Sequence, residues 1–405
     1  MVAAGLDCEL VFDEFAGSFF DDVLGSGGIV DAPEVVPLVE ETVRRYQGAG
    51  LSGVTSGVAY PGMPVSAVVA RRLGLRGPSV ESVLLCEHKY YSRLAQRALV
   101  PRATPDFGLV EPKSPRAPAG MTFPLFVKPV KSSFSRNARM VSGEAELREL
   151  VAGGPMPGAY LKPFDDMLGS YTEFASGSAN FIAESPLEGA QVSLEGYVSG
   201  GRVHTLGVID SIMYPGTISF RRFQYPSSLP AEVQRRMSRI AETFLKGIGY
   251  DDALFNVEFI YDAGSDALHV VEVNPKIASQ FTDLFEKVDG SSSYRTLLQV
   301  ALGEEPDFRK GRGPFKLAAS CVLRRFKDGT VLRAPSAEEI GGLKSRLPDA
   351  RLEVTVSEGR RLSDSMQDGK SFRYCFVNLG ADSSDELEAK LEMCERALDF
   401  RFSPP

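Results

Sequence analysis

The chain has 405 residues, 43% of them hydrophobic, with 45 Lys and Arg against 53 Asp and Glu and a formal net charge of −8. That length suits two to three domains at roughly 100–200 residues each, and 39 Gly with 26 Pro fall well short of a composition that leaves a chain unfolded. Net acidity without a long Lys/Arg block excludes a dedicated nucleic-acid or anionic-membrane binder. Asp7, Glu9, Asp13 and Glu14 are wrong for a secretory signal, and no run approaches the ~18 apolar residues of a membrane span, so a cytoplasmic protein is expected.

In chain order, Pro33 and Pro37 suit a first helical turn, and Val35, Val36, Val39 and Val43 form a helical face ending near Tyr46. Gly53–Tyr60 is short and β-rich, and Pro64–Gly74 has helical spacing closed by a glycine, a βα pattern that predicts a small parallel sheet. One helix is predicted from Ser79 to about Ala98. Pro101, Pro105, Pro112, Pro115 and Pro118 then crowd a stretch read as linker or surface loop.

Beyond Pro124, LFVKPV reads as a strand and SGEAELRELV as a helix with Ser142 as N-cap. QVSLEGYV and RVHTLGVID flank Ser199-Gly200-Gly201, a hairpin signal. Val233, Met237, Ile240, Phe244 and Ile248 share one helical face, with Pro230 suited to its first turn, and LFNVEFI and LHVVEVN are two further strands. After the polar, breaker-rich Pro306–Pro314 come strand-like KLAASCVLRRF and YCFVNLG, then a helix from Ser383 whose capping box is completed by Glu386. Expected domains are therefore residues 1–100, 101–310 and 311–405.

Five cysteines (Cys8, Cys86, Cys321, Cys375, Cys394) contain no C-x-x-C pair and are expected as buried apolar residues. Three histidines (His88, His204, His269) stand in no metal or triad frame, so chemistry must come from Lys, Arg, Glu and a bound group.

The strongest local signal is Glu258 with the run Glu272-Val273-Asn274-Pro275. Strand alternation puts Glu272 and Asn274 on one face, and an antiparallel partner brings Glu258 beside them. Two carboxylates alone are more often a solvated hairpin face. An amide oxygen added among the apolar Phe255, Val257, Phe259, Val270, Val271 and Val273 favours a cation, and the oxygen set suits Mg²⁺.

Lys128 follows three apolar strand residues, and Lys131, Arg136 and Arg139 follow in a Ser-rich turn where Ser132, Ser133 and backbone N–H groups could hold phosphates, unless this is an ordinary exposed loop. Glu184 sits where a strand gives way to Pro186, and Gln191, Ser193 and Glu195 alternate onto one side of the next strand, which could equally be a polar sheet face.

The ordered set of Lys89 (CEHKYYSRLA), Lys128, the basic loop, Glu184, Glu258 and Glu272-x-Asn274 resembles the ATP-grasp superfamily of carboxylate–amine ligases, in its L-amino-acid-ligase and biotin-carboxylase branch. The resemblance implies an α/β and α+β architecture: an N-terminal pre-ATP-grasp βα domain, a central two-subdomain ATP-grasp region and a C-terminal α+β domain. It implies ATP and Mg²⁺ as cofactors and small-molecule carboxylate and amine substrates, and leaves open both tethering to a carrier protein and a homodimeric state. Lys89 and Lys128 would meet the ATP phosphates. Adenine would lie against the Glu184–Leu187 hinge and Ile260, and ribose near Gln191. Glu258, Glu272 and Asn274 would hold metal, and Glu195 would be a further metal or substrate contact.

Two departures stand out: VKSSFSRNARMV has no glycine where the family's phosphate loop is often glycine-rich, and Lys276 replaces the Arg that commonly follows E-x-N-P. Lys276, Arg221 and Arg222, the last two in a loop-like stretch, are candidates to bind the carboxylate. The expected reaction is acyl-phosphate formation followed by amide formation, and the chain as given shows no biotin-carrier segment. The alternatives are biotin-carboxylase-like bicarbonate activation, selected by bicarbonate- and biotin-dependent ATP turnover, and a non-catalytic nucleotide-binding protein, which would not need a full metal site.

Overall fold

The computed structural model describes residue 6 and residues 8–12, 34–133, 135–364 and 371–405. Pro33 and Phe134 lie outside the described residues. In chain order the elements are α1 (Val35–Tyr46), α2 (Gly62–Leu73), α3 (Val80–Glu87), α4 (Lys89–Leu99), β1 (Phe107–Val110), β2 (Leu125–Pro129), β3 (Arg139–Val141), α5 (Glu144–Ala152), α6 (Gly158–Tyr171) and β4 (Phe181–Glu184). There follow β5 (Ala190–Ser199), β6 (Arg202–Met213), β7 (Phe220–Tyr225), α7 (Ala231–Gly247), β8 (Ala253–Asp262), β9 (Ala267–Asn274), α8 (Thr282–Asp289) and α9 (Ser293–Leu302). The chain ends with β10 (Leu317–Arg325), β11 (Val331–Arg333), α10 (Ala337–Arg346), β12 (Arg351–Val354), β13 (Phe372–Ala381), α11 (Ser384–Ala397) and β14 (Arg401–Phe402).

Two antiparallel sheets carry the architecture. The smaller has the order β1-β4-β2-β3, and the larger has eight strands in the order β12-β13-β10-β7-β6-β5-β8-β9. β10, β13 and β12 continue the sheet begun by β5–β9, so the boundary expected near residue 310 falls between strands of one sheet. The main core forms where α1–α3, α6 and α7 cover the apolar side chains of β5, β6, β8 and β9, among them Val192, Leu194, Val208, Val257, Phe259, Val270 and Val273. A second core lies between β10, β13 and the helices α10 and α11, and α5 covers the small sheet through Leu147, Leu150 and Val151. Among the described residues no helix is long and apolar enough to cross a membrane.

Several local expectations change. Gly53–Tyr60 forms no strand and no strand precedes β1 among the described residues, so the expected N-terminal parallel sheet is not seen there. Instead Gly53 lies against the end of α9, where a Cβ would come 2.6 Å from the carbonyl oxygen of Ala301. The proline-rich linker contains β1, which pairs with β4. The helix expected from Ser79 to Ala98 is broken at His88 (φ −101°, ψ 95°), because the Lys89 N–H leaves the helical ladder for the carbonyl of Val130 at 3.1 Å. Gly143, not Ser142, caps α5, and Pro230 is the N-cap of α7 rather than its first turn. Ser383 caps α11, but the Glu386 carboxylate accepts from Asp382 N–H, so only half of the capping box forms. The β5–β6 hairpin is as expected: Gly200 and Gly201 take φ of 56° and 74°, left-handed values that a two-residue turn between Ser199 and Arg202 requires.

Candidate active site

The β8–β9 hairpin places Glu258 opposite Glu272 and Asn256 opposite Asn274, and β5 sets Ser193 beside Glu258 and Glu195 beside Asn256. Opposed residues share a face, so two polar rows, Glu272-Glu258-Ser193 and Asn274-Asn256-Glu195, run across the sheet while Val257, Phe259 and Val273 fill the core behind them. Gln191 Nε2 donates to Glu258 Oε2 at 3.0 Å, and Asn274 Nδ2 donates to Asn256 Oδ1 at 3.0 Å and to Glu258 Oε1 at 3.4 Å. Asn256 Nδ2 donates to Glu195 Oε1 at 2.6 Å, and Ala278 N–H to Glu195 Oε2 at 3.3 Å.

Burial and the neighbouring Glu272 charge push the Glu258 carboxyl above the usual carboxylate range. Burial acts the same way on Glu272, but Lys89 and Lys128 outweigh it and hold that carboxyl below its ordinary value. Burial also pushes Glu195 up to about 7, against the opposing pull of Lys276.

Facing this cluster are side chains from α4 and the small sheet. The break at His88 starts α4 at Lys89, whose Nζ lies 3.1 Å from Glu272 Oε1 and 3.4 Å from Ser132 O. On β2, Leu125 and Val127 pack under α5, so Lys128 projects from the opposite face, and its Nζ pairs with Glu184 Oε2 at 3.0 Å. Glu184 also accepts from Arg93 Nε at 2.8 Å. Burial would raise the Glu184 carboxyl, yet Arg93 and Lys128 together bring it down to about 2, whereas burial lowers the Lys128 ammonium despite Glu184. A void of about 10 Å³, the size of one water, lies among Lys89, Arg93, Lys128, Glu184 and Glu272.

In ligand-free form the lysines are thus neutralised by carboxylates of the same site. Anionic groups entering here would be met by two buried ammonium groups, and a cation by Glu258, Glu272 and the Asn274 amide oxygen. Among the described residues no three His, Cys, Asp or Glu side chains gather as a metal site. Two carboxylates and an amide oxygen still fit Mg²⁺, which keeps water and phosphate oxygens in its shell; burial first and the Glu272 charge second raise the Glu258 carboxyl, and a divalent cation would favour its ionised form.

Residues 121–283 match the family of ATP-grasp domains. The chain carries an ATP-grasp domain. Among solved structures it is similar to an L-amino acid ligase from Bacillus licheniformis, with a TM-score of 0.68 and 19% identity over 90% of this chain and 84% of that one. A phosphoribosylglycinamide synthetase from Anaerococcus prevotii gives 0.61 and 14% identity over 92% and 88% of the two chains. A biotin carboxylase from Campylobacter jejuni gives 0.58 and 15% over 90% and 78%. These likenesses are of fold. In sequence, the carbamoyl phosphate synthase large chain of Thermoanaerobacter sp. (strain X514) is 23% identical over 285 residues, which span 68% of this chain but only 24% of that protein.

Within the ATP-grasp domain lie Lys128, Glu184, Gln191, Glu195, Glu258, Glu272, Asn274 and Lys276, whereas Lys89 and Arg93 come from α4 outside the matched segment. The sequence-derived candidates Lys89, Lys128, Glu184, Gln191, Glu258, Glu272 and Asn274 converge. Ile260 lies opposite Gln191 on the same sheet face, and Leu187 is half-buried in the β4–β5 connection. Ser133, where the basic stretch after β2 begins, shares a 2.6 Å hydrogen bond between its Oγ and Tyr160 Oη.

Lys131, expected with the phosphate-binding loop, is instead buried in an ion pair with Glu87, its Nζ over the rings of Tyr60 and Phe164. Arg139 pairs with Glu149. Arg222 is not brought to the cluster either. It lies on β7 rather than in a loop, opposite Ile212 and Cys321 on the reverse face of the large sheet, and both it and Arg221 bind Glu388 of α11. Lys276 lies at the cluster's edge, its Nζ donating to Ile277 O at 3.2 Å and its charge acting on Glu195 and Glu258. The sequence reading missed Arg93 and Asn256. For Arg93 a signal existed: Lys89, Arg93 and Gln96 recur at helical spacing on the buried face of α4.

Proposed function

We propose that the protein is a cytoplasmic, ATP-dependent ligase that activates a small-molecule carboxylate as an acyl phosphate and joins it to an amine, releasing ADP and phosphate. The observation that carries this is the facing of Glu258, Glu272 and Asn274 against Lys89 and Lys128, in a fold shared with an L-amino acid ligase.

Glu258, Glu272 and Asn274 would hold Mg²⁺, which when bound would neutralise charge on the ATP phosphates. Lys89 leaves Glu272 for a phosphate oxygen, and Lys128, held in place by its pairing with Glu184, presents the remaining N–H groups of its ammonium to the transferred group. Both stabilise charge that spreads over the phosphoryl oxygens as the substrate carboxylate oxygen bonds to the γ-phosphorus and the bond to ADP breaks. The deprotonated amine then attacks the acyl carbon, and phosphate departs as the amide forms. The Ser132–Arg139 loop shields the acyl phosphate from water. Glu184–Leu187 and Ile260 receive adenine, Gln191 the ribose, and Lys276 the acid's carboxylate. Residues 1–100, 101–310 and 311–405 serve as N-terminal, nucleotide-binding and C-terminal parts. The five cysteines, all unpaired, suit a reducing compartment.

The test is purified protein with ATP and Mg²⁺ against pools of amino acids and other carboxylates, scoring phosphate release together with a new amide mass. Phosphate release without any amide, dependent on bicarbonate and biotin, would select the second reading.

A further inference from the structure

Val270 and Glu272 are two residues apart on β9, and in an uninterrupted strand they would share a face. They do not. Val270 stands opposite Phe259 and is 1% exposed in the core, while Glu272 stands opposite Glu258 on the polar face. Upstream, Leu268 and Val270 are core residues; downstream, Val273 is. The parity changes at Val271, an extra residue with no partner on β8, which makes this a β-bulge. Without it, either Val270 would leave the core or Glu272 and Asn274 would leave Glu258.

The carbonyls of Val270 and Val271 are both taken by one side chain. Arg93 Nη1 donates to Val270 O at 2.7 Å and Nη2 to Val271 O at 2.9 Å. Nη1 also bonds Gln96 Oε1, and Gln96 is itself held by donation from its Nε2 to Ser92 Oγ at 3.0 Å. Nε completes the fork on Glu184 at 2.8 Å. A planar guanidinium can serve a carboxylate and two backbone carbonyls at once, a geometry that an ammonium cannot reproduce. Among the described residues β9 is an edge strand with no further strand beside these carbonyls, and Arg93, only 2% exposed, closes that edge from α4.

We infer that Arg93 is a positioning residue: it clamps the bulge that turns Glu272 and Asn274 toward Glu258, and through Glu184 it fixes Lys128. The inference rests on the proposed reading of Glu258, Glu272 and Asn274 as the metal-holding set. One side chain thereby sets the spacing between the cation-holding and the phosphate-holding halves of the site.

The experiment compares full-length wild type, Arg93→Lys and Arg93→Ala by Mn²⁺ electron paramagnetic resonance in the presence of ATP, and by hydrogen exchange resolved along β9. Arg93→Lys is expected to weaken Mn²⁺ binding by about 10–100-fold, the usual effect of losing a residue that orients a metal ligand. Amide exchange should rise at residues 270–274 while β5 and β6 stay protected, and guanidinium ion should restore part of the Mn²⁺ affinity of Arg93→Ala. Wild-type affinity and exchange in Arg93→Lys would overturn the inference. So would exchange rising evenly through the large sheet, or failure of both variants to fold, since Arg93 would then serve the fold at large. Should wild type bind no Mn²⁺ with ATP, the metal reading fails, and exchange at 270–274 still decides whether Arg93 clamps the bulge.

Discussion

Replacing Lys89 by Met should move the affinities for metal and for nucleotide in opposite directions. Lys89 Nζ lies 3.1 Å from Glu272 Oε1, and at an effective dielectric constant of about 20 that separation corresponds to about 5 kcal/mol of gross attraction. The Glu272 side chain is 30% exposed and Lys128 also acts on it, so solvent and the second ammonium reduce the net effect to about 1.4 kcal/mol, a factor of about 10. In the ligand-free protein a divalent cation must compete with Lys89 for Glu272. Lys89→Met removes the competitor, and Mn²⁺ binding without nucleotide should tighten about 10-fold. The same change deletes a charged donor to phosphate, worth about 1.5–3 kcal/mol, so ATP binding should weaken about 10–100-fold. Free Mn²⁺ is read by electron paramagnetic resonance and ATP affinity by calorimetry, with thermal melts as a control. A parallel loss of both affinities, or unchanged Mn²⁺ binding without nucleotide, would refute the exchange of Lys89 between carboxylate and phosphate.

Glu272→Gln should abolish turnover, by at least about 100-fold, in a protein that still folds but melts somewhat lower without ligand, because the ion pair with Lys89 is lost. A variant with undiminished phosphate release would remove the metal assignment. The Glu195 carboxyl rises from its ordinary 4.5 to about 7 on folding, so between those pH values the folded state holds more protons than the unfolded one. Ligand-free stability should therefore fall as pH rises through that window, by up to about 3 kcal/mol, and Glu195→Gln should flatten the slope in urea titrations at pH 5 and 8. Glu184 works in a different window and with the opposite sign: its stabilisation is present above 4.5 and is lost as pH falls toward about 2. Lys276→Ala should raise KM for the acid at least about 10-fold with little loss of stability, whereas Arg222→Ala should leave KM unchanged and destabilise by about 1–2 kcal/mol through the half-exposed Glu388. The reverse pattern would return Arg222 to the site.

The β5–β6 and β8–β9 hairpins were legible because alternation and turn glycines are local signals, and they sufficed to align Glu258 with Glu272. Alternation alone could not show that the bulge at Val271 reverses the strand's parity, since Val270 and Val271 are both apolar and either could face the core, and its cause, Arg93, lies 178 positions away. α4 misleads a hydrophobicity reading for a related reason. Its buried face is Lys89, Ser92, Arg93 and Gln96, polar residues that are stable there only because Glu184, Glu272 and the β9 carbonyls meet them. Arg222 shows the converse: an Arg-Arg pair reads as ligand-binding until its partner Glu388, 166 residues on, comes into view. The break at His88 was equally hidden, because it depends on a hydrogen bond from Lys89 to Val130 on the neighbouring sheet.

The most direct test is crystallographic: crystals grown with ATP and Mn²⁺, with data collected at the manganese absorption edge. An anomalous peak bound by oxygens of Glu258, Glu272, Asn274 and the ATP phosphates, with Lys89 moved from Glu272 to phosphate, is the expected result. ATP bound with the metal elsewhere, or with Lys89 still paired to Glu272, would contradict the account.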